Sequence, residues 1–513
     1  MNRELKYILD KLHNAGYEAY LVGGCVRDKI MEREVHDFDI CTSALPTEVE
    51  DVFKEHKIIE TGLKHGTVTI VLEKDTYEVT TFRTDGDYSD NRHPDTVTFV
   101  RNLKDDLLRR DFTMNAIVFD GKEYKDLFDG IKDIENQVIR CVGNPNDRFV
   151  EDALRILRAM RFSAQLGFNI EENTKKAMHT HKNLISNVSK ERIVTELKKI
   201  LTGENVYNVL HEFRDIIAVI IPEFEESFDF NQHNDWHVYD VYEHIIHSVQ
   251  NIDNDTVLRL VMLFHDIGKP RMFQMDDEGV GHFYGHNEKS EEMTIEIMKR
   301  LKFDNDTIKN VSILVGSHDR EISTSRKSVR KLISKFGFEN SLNLLKVKCA
   351  DKLAQNKEKI AATNELDKLL QVYFLIMDIM ENGDCTDKKH LAITGNDLKD
   401  IGLKPSPLYS EIFNDLLAKV IDGELENNKE DLLSYVKNHY IFRVKTIIEF
   451  ENGKRYEISK QGKDFDSLET KLIDEVQKIC ANNMQSGEKI RFKVEYRELD
   501  FIVDEEIKEY IYP

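Results

Sequence analysis

Along the first 140 residues the apolar positions alternate between two periods. Glu4 to His13 repeats at helical spacing, whereas Ala19-Tyr20-Leu21-Val22 is a short unbroken apolar run, the pattern of a strand covered on both faces. A second strand is predicted at Asp37–Ile40. A β pair follows, Thr67–Leu72 and Tyr77–Phe82 around a Lys74-Asp75 turn, and Asp85–Asp95, with Gly86, His93 and Pro94, reads as a loop. From Arg148 to about residue 440 the period is helical almost throughout, until the polar break Gly423–Lys429. Then the pattern changes again. Val444–Glu451, Asn452-Gly453 and Lys454–Ser459 read as a type I′ hairpin, followed by a helix at Leu468–Cys480 and a strand at Lys489–Tyr496. The predicted architecture is an α/β head (1–140), a helical neck (141–225), a helical body (226–370), a helical tail (371–440) and a small α+β extension (441–513).

Composition narrows the class. At 513 residues, 40% hydrophobic and 32% charged, the chain describes a folded, helix-rich protein of several domains. No segment approaches the ~18 apolar residues that would span a bilayer, and the N-terminus lacks a signal-like apolar run. Six scattered cysteines without a C-x-x-C pair fit a reducing cytoplasm. A net charge of -22 excludes a surface coated for nucleic acid, so any RNA contact must be local. Three basic clusters are candidates: Arg101–Arg110, Arg155–Arg161 and Arg326–Lys331.

Chemistry concentrates first at Leu21-Val-Gly23-Gly24-Cys-Val-Arg27-Asp28 and Asp37-Phe-Asp39. Gly-Gly after a buried strand, turning towards a segment that starts near Arg27, lets backbone N–H groups approach a phosphate. Two carboxylates at i, i+2 on a strand share a face, roughly 6 to 7 Å apart, which suits two hard cations. Together they are the layout of a two-metal phosphoryl or nucleotidyl transferase. Glu78 is a candidate third carboxylate from a neighbouring strand. In Arg109-Arg110-Asp111-Phe-Thr-Met-Asn115-Ala, the guanidiniums suit phosphate, and Asp111 is placed to orient one of them or to reach a ribose hydroxyl. Finally, Glu151–Phe162 reads as a helix with Leu154, Ile156, Leu157 and Met160 on one face and Asp152, Arg155 and Arg158 on the other. A carboxylate and a guanidinium one turn apart can read the amine donor and ring acceptor shared by cytosine and adenine. Uracil and guanine, with donor and acceptor reversed, are rejected. The alternative is a surface salt bridge, and helical spacing does not choose between the two.

These motifs, in this order, resemble those of class II tRNA nucleotidyltransferases, the CCA-adding enzymes, which share ancestry with bacterial poly(A) polymerases. The resemblance spans residues 5–435. It implies a DNA polymerase β-like head followed by helical neck, body and tail, and template-independent addition of C, C and A to tRNA from CTP and ATP. By it, Gly23, Gly24, Arg27, Arg110, Asp111, Asn115, Asp152, Arg155, Arg158 and Arg161 are nucleotide-pocket candidates. Asp37 and Asp39, with Glu78, would be catalytic and hold Mg²⁺. Thr84–Thr98 is similar to the family's flexible loop, whose full length favours complete CCA addition. Thr394–Leu398 with Ile401–Pro405 is similar to its tRNA-elbow motif, departing at Ser406 where Gly is frequent. In the body, Phe264–Pro270 resembles the HD phosphohydrolase signature, and the set His244, His265, Asp266, His286, His318 and Asp351 would hold a transition metal, Ni²⁺, Mn²⁺ or Co²⁺. The expected partners are tRNA, CTP and ATP, with no membrane; monomer and homodimer both stay open. So do poly(A) synthesis, CC-only or A-only addition, a metal phosphohydrolase with a nucleotide-sensing head, and an RNA-binding scaffold.

Overall fold

The computed structural model describes residues 3–35, 37–63, 66–73, 75–86, 96–401, 403, 405–440, 442–450, 453–462, 474–479, 489–498 and 501–511. Two compact units emerge: residues 1–320 with 343–366, and residues 321–342 with 367–513.

The head of the first unit starts with α1 (Arg3–Asn14), which buries Leu5, Ile8, Leu9 and Leu12, one stripe at helical spacing. Strand β1 (Ala19–Val22) is buried at all four positions, as its unbroken apolar run requires. Helix α2 (Gly24–Ile30) begins at the second glycine rather than near Arg27. After it come β2 (Asp39–Thr42), α3 (Pro46–Val52), β3 (Lys57–Gly62), β4 (Thr67–Leu72) and β5 (Asp75–Thr81). The sheet runs β3-β4-β5-β2-β1, then Ile117–Phe119 and Tyr124–Asp126. It is mixed: β2 pairs parallel with β5 and antiparallel with β1. That register places Asp39 beside Val22 on one side and Glu78 on the other, so two acids on neighbouring strands stand next to the end of β1 that leads into the Gly23-Gly24 turn. The expected flexible loop is tied at its base by Arg83–Asp85 pairing with Val97–Phe99, and its residues 87–95 lie outside the described residues.

The neck corrects one expectation. Glu151–Phe162 is not one helix. Pro145–Glu151 ends at Asp152, which is extended (φ -139°, ψ 99°), and a new helix runs Leu154–Leu166. The break frees Asp152 to cap the second helix, its Oδ1 accepting from the Leu154 N–H at 3.0 Å. Behind it the body is helical, and Val241–Asn251, Thr256–Phe264, His286–Arg300 and Asn305–Ser317 carry or flank its histidines.

In the second unit, Cys385, Leu391, Leu398, Ile412, Leu416, Leu432, Val436 and Tyr440 form one core. The Arg326–Lys331 cluster is not an open basic patch. Arg326 and Arg330 pair with Asp384, and Lys327 and Lys331 with Asp422. Thr394 and Asp397 make a capping box at the start of the tail motif, whose Gly402 and Lys404 lie outside the described residues. The extension is a four-stranded antiparallel sheet in which Phe442–Phe450 lies between Arg455–Gly462 and Lys489–Glu498, and Phe501–Ile511 forms an edge. Asn452 and most of the predicted Leu468–Cys480 helix lie outside the described residues; 474–479 is helical. Among the described residues no helix is long and apolar enough to cross a membrane.

Candidate active site

Gly23 has φ +81°, and a Cβ built there would stand 3.5 Å from both Arg110 Nη1 and Asp39 Oδ2. A side chain at this position would therefore be strained and would stand over the two charged groups that face the turn. This turn floors a cavity of about 300 Å³ lined by Gly23, Gly24, Arg27, Asp39, Arg110, Asp111, Asn115, Arg158, Arg161 and Phe162. Its walls form one hydrogen-bonded chain. Arg27 Nη1 donates to Asn115 Oδ1 at 2.9 Å, Asn115 Nδ2 donates to Asp111 Oδ1 at 3.0 Å, and Arg158 Nη2 donates to Asp111 Oδ2 at 2.6 Å. Burial works to raise the Asp111 carboxyl, but Arg158 and the Asn115 amide prevail and hold it at about 2. A permanently ionised acid thus fixes the guanidinium that faces the cavity.

Asp111 does not orient Arg109 or Arg110. The fully buried Asp106 does, accepting from Arg109 at 2.8 Å and Arg110 at 3.4 Å. Arg110 Nε is buried with no hydrogen-bond partner, an orphan donor in a wall of the cavity. Asp39 is pushed up from the ordinary carboxylate value by desolvation, with Asp37 adding to the effect and Arg110 opposing it. Crowded acids next to an orphan donor are the donor set that a divalent cation and a phosphate chain relieve together. Glu78 is exposed and pairs with Asp39 on the neighbouring strand, outside the lining of the cavity.

A second cavity, about 260 Å³, shares Arg110, Asp111 and Arg158 with the first and adds Arg109, Asp152, Leu154, Arg155 and Arg192. Asp152 and Arg155 do line one space, though for a different reason than helical spacing. Arg155 is buried and anchored, donating to Arg109 O at 2.8 Å, Arg148 O at 3.0 Å and Glu151 Oε2 at 2.6 Å. Asp152 pairs with Arg192 at 2.9 Å rather than with Arg155. The ion pairs here are Asp152 with Arg192 and Arg155 with Glu151.

Sequence reasoning missed Asp106, Arg192 and Phe162. The Phe162 ring is ringed by guanidinium carbons at 5.0 Å (Arg27), 5.6 Å (Arg158) and 4.1 Å (Arg161), a cation–π cluster that braces the arginine wall. Phe162 falls one residue beyond the arginines singled out and has no charge to mark it.

The body gathers all six predicted residues. His244 Nε2 lies 3.2 Å from Asp266 Oδ2 and 3.0 Å from Asp351 Oδ1, and His265 Nε2 lies 3.3 Å from Asp266 Oδ2. His286 and His318 Nε2 stand 3.4 and 3.5 Å from Asp266 Oδ1. Each ring Nδ1 faces a backbone carbonyl: Met262 at 2.7 Å, Phe283 at 2.8 Å, Val315 at 2.7 Å and Ala354 at 3.3 Å. Donation there puts the lone pair on Nε2, the tautomer of a metal ligand. Lone pairs of His244 and His265, and of His286 and His318, then face each other at 3.2 Å, which a cation between them turns from repulsion into coordination. Neither Asp266 oxygen has a hydrogen-bond partner, although Lys269 Nζ lies 2.6 Å from Oδ2. The cluster opens into a cavity of about 580 Å³ that also exposes Trp236 and Tyr284. His237, missed at the sequence level, sits edge-on to His244 with its Nδ1 buried and unpartnered. Burial, with Lys269 close by, drives its imidazole down to about 2, so it is neutral.

Comparisons with known proteins show the family and the fold. Residues 19–140 match the model of the poly A polymerase head domain, and 167–228 that of the probable RNA- and SrmB-binding site of polymerase A. Residues 282–436 match a putative tRNA nucleotidyltransferase domain 2. The chain is 34% identical to the CCA-adding enzyme of Pediococcus pentosaceus over 438 residues, which is 84% of this chain and 97% of that one. It is 34% identical to the Enterococcus faecalis CCA-adding enzyme over 85% of this chain and 95% of that one. The Bacillus stearothermophilus CCA-adding enzyme in complex with CTP superposes with a TM-score of 0.62 at 27% identity, covering 85% of this chain and 97% of that one. The Thermotoga maritima CCA-adding enzyme complexed with tRNA shares the fold at 18% identity, with a TM-score of 0.54 over 85% of this chain and 96% of that one.

Proposed function

The chain belongs to the CCA-adding enzymes, and we propose that it extends tRNA 3′ ends with C, C and A from CTP and ATP. The observation that carries this reading is the pair of adjoining cavities, one with acids and phosphate-binding groups, the other with Asp152 and Arg155, joined through Arg110, Asp111 and Arg158. A nucleotide laid across them has its triphosphate by the Gly23-Gly24 turn, Arg27 and Arg110, and its base against Asp152 and Arg155.

The tRNA 3′ oxygen attacks the α-phosphorus, the bond to pyrophosphate breaks, and the arginines neutralise the charge that leaves. Asp37 and Asp39, with Glu78 on the neighbouring strand, are the residues to hold divalent cations. Mg²⁺ in that position would lower the pKa of the attacking hydroxyl and offset charge on the pyrophosphate. Asp152 accepts from the exocyclic amine of cytosine or adenine, and a carboxylate with several lone-pair sites does so without releasing Arg192. Arg155, held by two backbone carbonyls, donates to the ring nitrogen. The five described cysteines are free, in keeping with the reducing cytoplasm in which we place the protein.

Competition among the four triphosphates tests the base-reading step. Asp152→Ala should narrow the preference for CTP and ATP over UTP by about 5- to 150-fold, the equivalent of losing ~1–3 kcal/mol of discrimination. Unchanged selectivity with a lower melting temperature would reduce Asp152 to a helix cap and a partner for Arg192.

For the body we propose a metal-dependent phosphoesterase. Its convergent Nε2 atoms are the supporting observation, and imidazole ligands favour Ni²⁺, Mn²⁺ or Co²⁺ over Mg²⁺. A 2′,3′-cyclic phosphate at a damaged tRNA end is the substrate we favour, because opening and removing it restores the hydroxyl that the head extends. Metal-stripped protein reloaded with Ni²⁺ or Mn²⁺ should hydrolyse 2′,3′-cAMP. No hydrolysis with any of these ions would leave the cluster without this role.

A further inference from the structure

Trp236 and Tyr284 are 41% and 67% exposed, and both line the cavity into which the body histidines open. A single exposed aromatic side chain is ordinary on a protein surface. These two differ in sharing one cavity and in how firmly the chain holds them there. Tyr284 follows a short hairpin in which Gln274-Met275 pairs with Gly281-His282. Asp276 closes its turn, Oδ1 accepting from the N–H groups of Glu278 and Val280 at 3.0 and 2.8 Å. The other oxygen, Oδ2, lies 2.8 Å from His282 Nε2. Fixed in this way, the His282 ring lies parallel to that of Tyr284, with centroids 5.4 Å apart and planes within 6°. One face of Tyr284 is thereby backed while the ring stays in the cavity wall.

Trp236 lies on a second loop that is bonded to the hairpin. Gly281 N–H donates to His233 O at 2.7 Å, and Asn234 Nδ2 donates to Gly281 O at 3.5 Å. Only glycine permits this approach, because a Cβ at 281 would collide with the Gln232 carbonyl. Gln232 Oε1 accepts from Lys269 Nζ at 3.0 Å, and the same ammonium lies 2.6 Å from Asp266 Oδ2, so the loop is anchored to the histidine–aspartate cluster. The Trp236 N–H donates to Asn234 Oδ1 at 3.1 Å, and its carbonyl accepts from Asn356 N–H at 2.9 Å. These bonds use the Trp236 backbone and leave the indole to the cavity.

From this placement we infer that Trp236 and Tyr284 bind the base of the terminal nucleotide, so that the body takes nucleoside cyclic phosphates in preference to simple phosphate esters. The inference deepens the phosphoesterase reading and rests on it for the reacting phosphate. The cavity of about 580 Å³ falls within the range of about 300–1,000 Å³ usual for small organic ligands, more than a phosphate group alone would fill. Its chemistry is divided: His286, His318 and Lys269 are buried, and the two aromatic rings are exposed. A nucleotide has the same division, an anionic phosphate at one end and a flat base at the other. Stacking accepts any base, since each has a π face, and the wider purines bury more area. Rings already fixed by their loops lose little freedom on binding.

Two readouts on the full chain test this. The first compares, in protein loaded with Ni²⁺ or Mn²⁺, hydrolysis of 2′,3′-cAMP with that of glycerol 1,2-cyclic phosphate, which carries the same cyclic phosphate and no base. Trp236→Ala and Tyr284→Ala should each cut the ratio of kcat/KM for the two esters by about 5- to 150-fold, the worth of one stacked base. The change should fall mainly on KM for the nucleotide. A merely structural role would lower both rates and leave the ratio. The second readout needs no turnover. Trp236 is the chain's only tryptophan, so adenosine 2′-monophosphate should quench the emission of Ni²⁺-loaded protein saturably, and inorganic phosphate should not. In Tyr284→Ala the same quench should need a correspondingly higher concentration. Hydrolysis with an unchanged ratio in both variants, and no quench, would overturn the base site and leave the phosphoesterase standing. Saturable quenching without hydrolysis by any ion would overturn the phosphoesterase and leave the base site. Absence of both would overturn both, and a quench indifferent to Tyr284→Ala would overturn the role of Tyr284.

Discussion

Asp39→Ala should reduce kcat for nucleotide addition by on the order of a hundredfold or more while tRNA affinity stays near that of the unaltered protein. The side chain sits at the exposed start of β2, where its backbone, not its carboxylate, forms the ladder with Val22 and Glu78. The ladder therefore survives the substitution. Arg110 loses one acidic neighbour but keeps Asp106. What disappears is an oxygen ligand for the cation that stabilises charge at the transferring phosphorus, an interaction made chiefly in the transition state, so kcat should suffer more than KM. Asp37→Ala should behave alike. Single-turnover incorporation of labelled CTP, with tRNA binding measured in parallel, checks both, and near-normal incorporation at saturating Mg²⁺ would refute the assignment.

The second large effect separates the two sites. His265→Ala with Asp266→Ala should abolish hydrolysis of 2′,3′-cAMP and spare CCA addition, and Asp37→Ala should do the reverse. The body residues belong to helices and turns of their own, and neither of the two head cavities includes any of them. Removing Asp266 does leave Lys269 buried beside a missing partner 2.6 Å away, which costs stability. Asp351→Asn is the milder companion, since it keeps the side-chain volume and a hydrogen-bonding group for Gln355. Loss of hydrolysis in both variants with normal CCA addition is the expected outcome. Parallel loss of the two activities would mean that the sites are not independent.

Much of this was legible in the sequence because local chemistry dictated it. The buried strand before Gly23-Gly24 and the alternating β4 pattern needed nothing beyond side-chain period and backbone freedom. The body histidines were readable as a set through the resemblance of Phe264–Pro270 to the HD signature, and the structure brings them together. What was not legible depended on tertiary placement. The interruption at Asp152 is invisible to apolar periodicity, because Leu154, Ile156 and Leu157 continue the pattern while a side-chain cap restarts the backbone. Nothing in the sequence marks Asp106 for burial, where it accepts from Arg109 and Arg110. The basic run Arg326–Lys331 looked like an RNA contact because its acids, Asp384 and Asp422, lie more than fifty residues on. Sequence spacing names the groups; long-range packing decides which of them face one another.

The central claim is that the head and neck build a complete C-C-A end. Its most direct test is to incubate the protein with Mg²⁺, CTP and ATP and a tRNA lacking its last three nucleotides, then to sequence the product. The account predicts a discrete product extended by C, C and A, and no further growth at long times. A ladder of adenylates, or a product that stops after C-C or accepts only the terminal A, would contradict it.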